Sequence, residues 1–177
     1  MMIFIGWMLA SIVVPRIADI YGRKLVFVGN MLLQLVGLTL IIYAKSFSCI
    51  LAGLFINGVC SAGRWTVTYV YLAEFLTEAK IKIYVGLMNS SAALAVPVGA
   101  LTIQVITKNT IVLEYLAVSL TIFGGIAGFF FLPESPKWLV GHGSMEKARM
   151  AYAYIAKVNG KADDVESEIG DWEFRQQ

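Results

Sequence analysis

The sequence predicts an all-α protein, a polytopic bundle of transmembrane helices. Of the 177 residues, 58% are hydrophobic and only 15% are charged, and the mean hydropathy is +0.73. These values are more apolar than those of soluble globular chains. The apolar residues are grouped in stretches of about 20, the length that spans a bilayer core as a helix. Because lipid offers the backbone no hydrogen bonds, each stretch is expected to be helical.

The first apolar stretch is the shortest. Residues 1–14 would cover only about 21 Å as a helix. The helix therefore either continues through Pro15 towards Ile20 or is the tail of a longer one, and we favour the second alternative, a truncated helix in a truncated protein. The other four stretches are long enough to span a membrane: residues 25–44, 47–72, 84–106 and 111–132.

The loops between these stretches alternate in charge. The loops after the second and fourth stretches each hold one lysine, Lys45 or Lys108, whereas several basic residues follow the first, third and fifth. The positive-inside rule places the richer loops in the cytoplasm or its topological equivalent. The chain is thus predicted to be an integral, multi-pass protein of the plasma membrane or an organelle membrane. The basic residues on the inner side are Arg16, Arg23, Lys24, Lys80, Lys82, Lys137, Lys147, Arg149, Lys157 and Lys161.

The composition changes after the last apolar stretch. The predicted organisation is a five-helix transmembrane region over residues 1–132 and a cytosolic helical segment over residues 133–177. In the second region Ser144 is a suitable N-cap for a helix from Met145 to Val158. The acidic residues 163–177 are compatible with another short helix.

Polar residues inside the apolar stretches recur at helical spacing. In the third stretch they follow at steps of three or four and line one face of a helix. Such a face is either a packing seam between helices or the lining of an aqueous cavity. Arg64 is the most informative, because a charge within a membrane costs at least about 2.5 kcal/mol. It is either a pathway charge, a structural residue, or a residue whose long side chain extends towards the interface. The members of this face are Asn57, Ser61, Arg64, Thr68, Tyr71 and Glu74, and Asn89 and Gln104 mark a weaker one in the fourth stretch.

Several function classes are disfavoured. The chain lacks the His and Cys spacing of a metal site, a Gly-rich phosphate loop after a strand, and a Ser/His/Asp set, so we expect neither an enzyme nor a cofactor. The basic residues are scattered and form no face for phosphates, which argues against a nucleic-acid partner. His142, between two glycines, is expected to be a solvated loop residue.

Two sequence signatures carry a family resemblance. Residues 19–24 read Asp-Ile-Tyr-Gly-Arg-Lys and resemble the Asp-Arg-x-Gly-Arg-Arg/Lys signature between the second and third helices of major facilitator superfamily transporters. Residues 133–139 read Pro-Glu-Ser-Pro-Lys-Trp-Leu and resemble the segment that follows the sixth helix in sugar porters and organic ion transporters. Residues 146–149 and 155–160 are similar to the cytosolic helix of the organic cation transporter branch.

The resemblance implies a half of a major facilitator fold. The five stretches would correspond to the family's second to sixth helices, so its first helix and its second six-helix bundle have no counterpart in this length. In the family, two bundles rock about a central site while cytosolic charges hold the inner gate shut. The corresponding gating network here would contain Asp19, Gly22, Arg23, Lys24, Glu74, Lys80, Lys82, Glu134 and Lys137.

Three positions depart from the family pattern. Pro15 stands where the signature normally begins with Gly, and Ile20 replaces a basic residue. Ile81 stands where the family places an Arg after the acidic residue of the third stretch, so a neighbouring Lys would have to supply the charge without the bidentate geometry of Arg.

Two functions remain open at this point. The first is a secondary active transporter of a small organic solute, present here as a partial chain whose missing second bundle or other membrane subunits would be partners, together with the lipid bilayer. The alternative is a transporter-derived structural subunit of a larger membrane complex that no longer moves solute. Candidate residues for the substrate pathway are Asn57, Ser61, Arg64, Thr68 and Gln104.

Overall fold

The structure of the protein is a computed structural model that describes residues 1–76, 78–106 and 109–158. It divides into two units, Met1–Phe131 and Leu132–Gln177. The described residues form helices and no strand, so the predicted all-α class is confirmed. The possible helix over residues 163–177 lies outside the described residues, as do Lys108 and Lys161.

The first unit contains five helices that are long and apolar enough to cross a membrane, which confirms the predicted number of spans. Helix α4 passes directly into a π-helical turn, Thr102–Ile106. The bounds of the five helices are α1, Met2–Tyr21; α2, Arg23–Ile42; α3, Phe47–Phe75; α4, Glu78–Leu101; and α5, Ile111–Phe131.

Three of these helices are longer than the hydropathy pattern indicated, α3 by only three residues. Helix α1 continues through Pro15 to Tyr21. This is the first of the two alternatives given for the stretch, in which the helix extends past the proline. Proline is tolerated there because other groups in a membrane bundle can satisfy the freed carbonyl. Helix α4 begins at Glu78 rather than at the predicted residue 84, because Lys and Glu are good helix formers although they end an apolar stretch.

Close helix crossings form the centre of the first unit. Helices α1 and α2 both pack against α3, and α5 packs against α2. At the α1–α3 crossing, a Cβ added to Gly58 would overlap the backbone of Ile3, and one added to Gly6 would overlap the carbonyl of Phe55. Small residues at such crossings let two backbones approach, which is how membrane helices gain packing contacts. The buried core around them consists of Ala10, Val14, Ala18, Val26, Ala62 and Val67.

Helix α4 is the exception in this unit. It makes few contacts with α3, and none of its spanning residues is buried against the described part of the chain. Gly86 and Gly99 have open space where a Cβ would stand. The surface of α4 is therefore available to lipid or to another protein segment.

The described part of the second unit, residues 132–158, is a pair of short helices. Helix α6, Pro136–Gly141, begins at Ser135, whose hydroxyl accepts a hydrogen bond from Trp138 N, and helix α7 spans Met145–Val158. Leu139 of α6 packs against Ala148 and Ala151 of α7. The start of α6 has a recognisable signal, an N-cap serine followed by proline in the first turn.

Candidate functional site

A single residue, Gly22, separates α1 from α2. Its backbone has φ 99° and ψ 151°, a conformation essentially restricted to glycine. The sharp reversal places Asp19, in the last turn of α1, beside Arg23, the first residue of α2. The glycine of the signature therefore sets the positions of its two charged neighbours.

Arg23 joins three helices through its guanidinium group. Nη2 lies 3.0 Å from Asp19 Oδ1 and 3.0 Å from Glu74 Oε1 in the last turn of α3. Nη1 also donates a hydrogen bond of 3.4 Å to the carbonyl oxygen of Ala18. We call Asp19, Arg23 and Glu74 the Arg23 cluster.

The two carboxylates of the Arg23 cluster differ in their surroundings. The side chains of Arg23 and Glu74 are 11% and 13% exposed, whereas that of Asp19 is 66% exposed. An ion pair shielded from water is weakened little by solvent, whereas an exposed one contributes little. Glu74 Oε2 is buried and accepts no hydrogen bond from the described residues. The Glu74 carboxylate is thus the principal partner of Arg23 and retains capacity for a further donor.

The other residues of the predicted network lie in different places. Lys24 Nζ stands 5.5 Å from the centre of the Phe129 ring, a cation–π contact that links α2 to α5. Lys80 and Lys82, in the first turns of α4, are exposed and form no ion pair with the described residues. In the second unit Glu134 Oε1 accepts a hydrogen bond of 3.0 Å from Ser135 N, and Lys137 is exposed. A gating role for all of these residues stays a prediction.

Two asparagines hold the interface between α2 and α3. Asn30 Nδ2 donates to Val26 O at 3.0 Å, and its amide lies where a Cβ on Gly63 would stand. Asn57 Nδ2 donates to Gly53 O at 2.9 Å and lies against Gly37 in the same way. Both side chains are buried. Asn57, a predicted pathway residue, therefore lies in a packing seam between helices, the first of the two interpretations of this polar face.

Arg64 lies in the middle part of α3 and is bound to a neutral side chain. Its Nη1 donates a hydrogen bond to Gln34 Oε1 of α2. Arg64, Ser61 and Thr68 are half-buried, so this part of the predicted polar face reaches the surface of the first unit. Gln104 is exposed on the π-helical turn rather than on an α-helix.

Three contacts were not foreseen from the sequence. Gln34 lies in the second apolar stretch, and nothing in its sequence context indicates Arg64 as its partner. Phe129 lies in a run of three phenylalanines, a pattern typical of a lipid-facing segment, and the sequence did not indicate its contact with Lys24. Ser135 is fully buried, and its role as a helix cap could have been found from the proline that follows.

The described residues offer no metal centre. No group of three or more His, Cys, Asp or Glu side chains within residues 1–76, 78–106 and 109–158 is arranged to hold an ion. The charged groups of the site are the Arg23 guanidinium shared by two carboxylates, Lys24 over the Phe129 ring, and Arg64 within the apolar length of α3.

Comparison with known proteins identifies the family. The model of the family described as "Sugar (and other) transporter" matches residues 1–176. Solute carrier family 22 member 2 of Rattus norvegicus is 26% identical to the chain over 161 residues, and solute carrier family 22 member 1 of Bos taurus is 29% identical over 162. Vacuolar protein sorting-associated protein 73 of Saccharomyces cerevisiae is 28% identical over 181 aligned positions.

The relatives are much longer than the region they share with this chain. The alignments cover 89% of the chain for the two solute carriers and 97% for the yeast protein, but only 28% and 35% of those proteins. They confirm the resemblance carried by residues 19–24 and 133–139. With five apolar helices, the chain is an integral, multi-pass membrane protein, and it belongs to the sugar (and other) transporter family.

Proposed function

We propose that the chain acts within a secondary active transporter that moves a small organic solute by alternating access. The observation that carries the proposal is the Arg23 cluster, in which one guanidinium binds carboxylates from two other helices. An ion pair of this kind holds helix ends together in one state and can separate in another. The family match supports the general class of activity.

The burial of the Arg23 cluster suits a gate. Removing one partner from a shielded pair leaves the other charge uncompensated, which is far more costly than breaking an exposed pair. The free capacity of Glu74 Oε2 can accept a donor from a neighbouring helix or bundle. In this proposal Lys80, Lys82, Glu134 and Lys137 contribute to the same inner gate, opposite a second bundle or another membrane subunit.

The solute would pass along the polar face of α3. Ser61, Arg64 and Thr68 are half-buried at successive turns of α3, and Gln104 is exposed on the π-helical turn that follows α4. A transporter needs polar groups at membrane depth that can replace the water around its solute. Asn57 contributes to this face by positioning α2 and α3, since its amide is buried.

Solute uptake by the full-length gene product tests the gate. Arg23→Gln and Glu74→Gln should each lower the uptake rate by about tenfold or more at equal surface abundance, because each leaves a buried charge without its partner. The exchange of both charges, Arg23→Glu with Glu74→Arg, should restore part of that rate. Arg16→Gln is the matched control, because Arg16 is an exposed base near the same turn.

Two results would contradict the proposal. If the double exchange recovers no more activity than the single variants, Arg23 and Glu74 do not form the gate. If the wild-type protein moves no solute from a broad panel while it stays folded in its membrane complex, the structural-subunit alternative is the better account.

A further inference from the structure

Arg64 is a cation within the apolar length of α3, and its position along the bundle can be measured from two helices. It lies about 16 Å before the last residue of α3, and Gln34 lies about 16 Å after the first residue of α2. The ends from which these lengths are counted are joined by the Arg23–Glu74 ion pair. Because Arg64 binds Gln34 at the same depth, its side chain runs across to α2 rather than towards the interface.

The charge of Arg64 has no counterion in the described part of the chain. Gln34 is neutral, and the ion pairs in residues 1–76, 78–106 and 109–158 do not involve Arg64. Cys60, one turn earlier on α3, is a fully buried thiol. With the Arg23–Glu74 ion pair at the inner edge of a bilayer core about 30 Å thick, Arg64 carries its net charge near the midplane.

The remaining surface of Arg64 cannot face lipid without a large cost. A guanidinium has five N–H donors, and the bond to Gln34 uses one of them. The side chain is half-buried, so part of it reaches the surface of the unit. Intramembrane charges face a water-filled cavity or a partner rather than acyl chains.

We infer that Arg64, held in place by Gln34, binds the carboxylate of the transported solute, which is an organic anion or a zwitterion. This inference rests on the proposed function and names its substrate class. A guanidinium offers parallel N–H groups that match the two oxygens of a carboxylate. The carboxylate supplies the missing negative charge at the depth where the transporter would hold its solute, whereas a purely cationic solute would be repelled.

Binding to the purified full-length protein tests the inference without requiring transport. The probes are monocarboxylates from acetate to benzoate and longer aromatic acids, each compared with its methyl ester at constant ionic strength. Glycine betaine represents zwitterions, and tetraethylammonium represents cations. At least one acid or the betaine should raise the Tm in a saturable way, and the esters and tetraethylammonium should not.

Variants at the two side chains sharpen the test. Arg64→Gln should weaken carboxylate binding on the order of 30-fold or more, because it removes the charged partner. Arg64→Lys keeps the charge but lacks the planar, bidentate guanidinium. Its carboxylate affinity should therefore lie between that of the wild type and that of Arg64→Gln. Gln34→Leu should weaken binding less, since it releases the guanidinium without removing it. If Arg64→Gln does not fold, the comparison of acids with their esters on the wild type and on Arg64→Lys still tests whether Arg64 binds a carboxylate.

The possible results are distinct. Esters that bind as well as their acids, a preference for tetraethylammonium, or no response to any carboxylate would each overturn the inference. Carboxylate binding that depends on Arg64 in a protein that transports none of these solutes would support a carboxylate site at Arg64 and overturn the proposed function. A response to the acids alone identifies an anion carrier, and a response to the betaine identifies a zwitterion carrier.

Discussion

The Arg23 guanidinium is shared unequally by its two acidic neighbours. Glu74 is shielded with it, whereas the Asp19 carboxylate is largely in solvent. The sequence indicated all three residues through the signature and the polar face of the third stretch. Their unequal burial depends on how α3 ends against the α1–α2 turn, and no local pattern encodes that packing.

The unequal burial predicts unequal effects on stability. Glu74→Gln should lower the free energy of unfolding by about 2 to 3 kcal/mol, because it leaves Arg23 charged and shielded. Asp19→Asn should lower it by less than about 1 kcal/mol, as expected for an exposed pair. Unfolding of the full-length protein in detergent measures both. Equal losses for the two variants would contradict this ranking.

Helix α3 is the element on which the first unit is assembled. One face of α3 packs against α1 through Gly58, and another face packs against α2 through Asn57 and Gly63. Apolar length and periodicity predicted the helix and its polar face well, because both depend on residues near in sequence. The partner of each polar residue was not predictable, since Gln34 and Arg64 meet only after α2 and α3 pack.

The α1–α3 crossing should tolerate no added side chain. Gly58→Ala places a methyl group on the backbone of Ile3, which cannot rotate away, so we expect a loss of about 1 to 3 kcal/mol in stability. Gly124→Ala is the control, because the nearest atom to its added Cβ is Met31 Cε at 3.9 Å. Thermal unfolding in detergent compares the two. A Gly58→Ala protein as stable as the control would show that the helices are further apart.

At the scale of the whole molecule, composition and loop charge predict a membrane protein with an odd number of spans. In agreement with that prediction, the part of the chain that the structure describes contains five helices long and apolar enough to cross a membrane. Their sidedness stays a prediction, because it depends on the bilayer and on the synthesis of the chain rather than on internal contacts.

Cysteine labelling measures that sidedness. In a background with Cys49 and Cys60 replaced by Ala, a cysteine at Lys45 should react with an impermeant maleimide from outside sealed cells or from the lumen of an organelle. Cysteines at Lys82 and Lys137 should react only from the cytosolic side. These three lysines are exposed. Labelling of Lys45→Cys and Lys82→Cys from the same side would refute the five-span orientation.

The one-residue turn at Gly22 also bears on how the chain is made. With α1 ending at Tyr21 and α2 starting at Arg23, the nascent chain has no loop that could wait in the cytosol between two separate insertions. We therefore expect the two helices to enter the lipid together, as a helical hairpin. By the positive-inside rule, the basic residues beside the turn should keep it on the cytosolic side, so the orientation of α1 would also set that of α2.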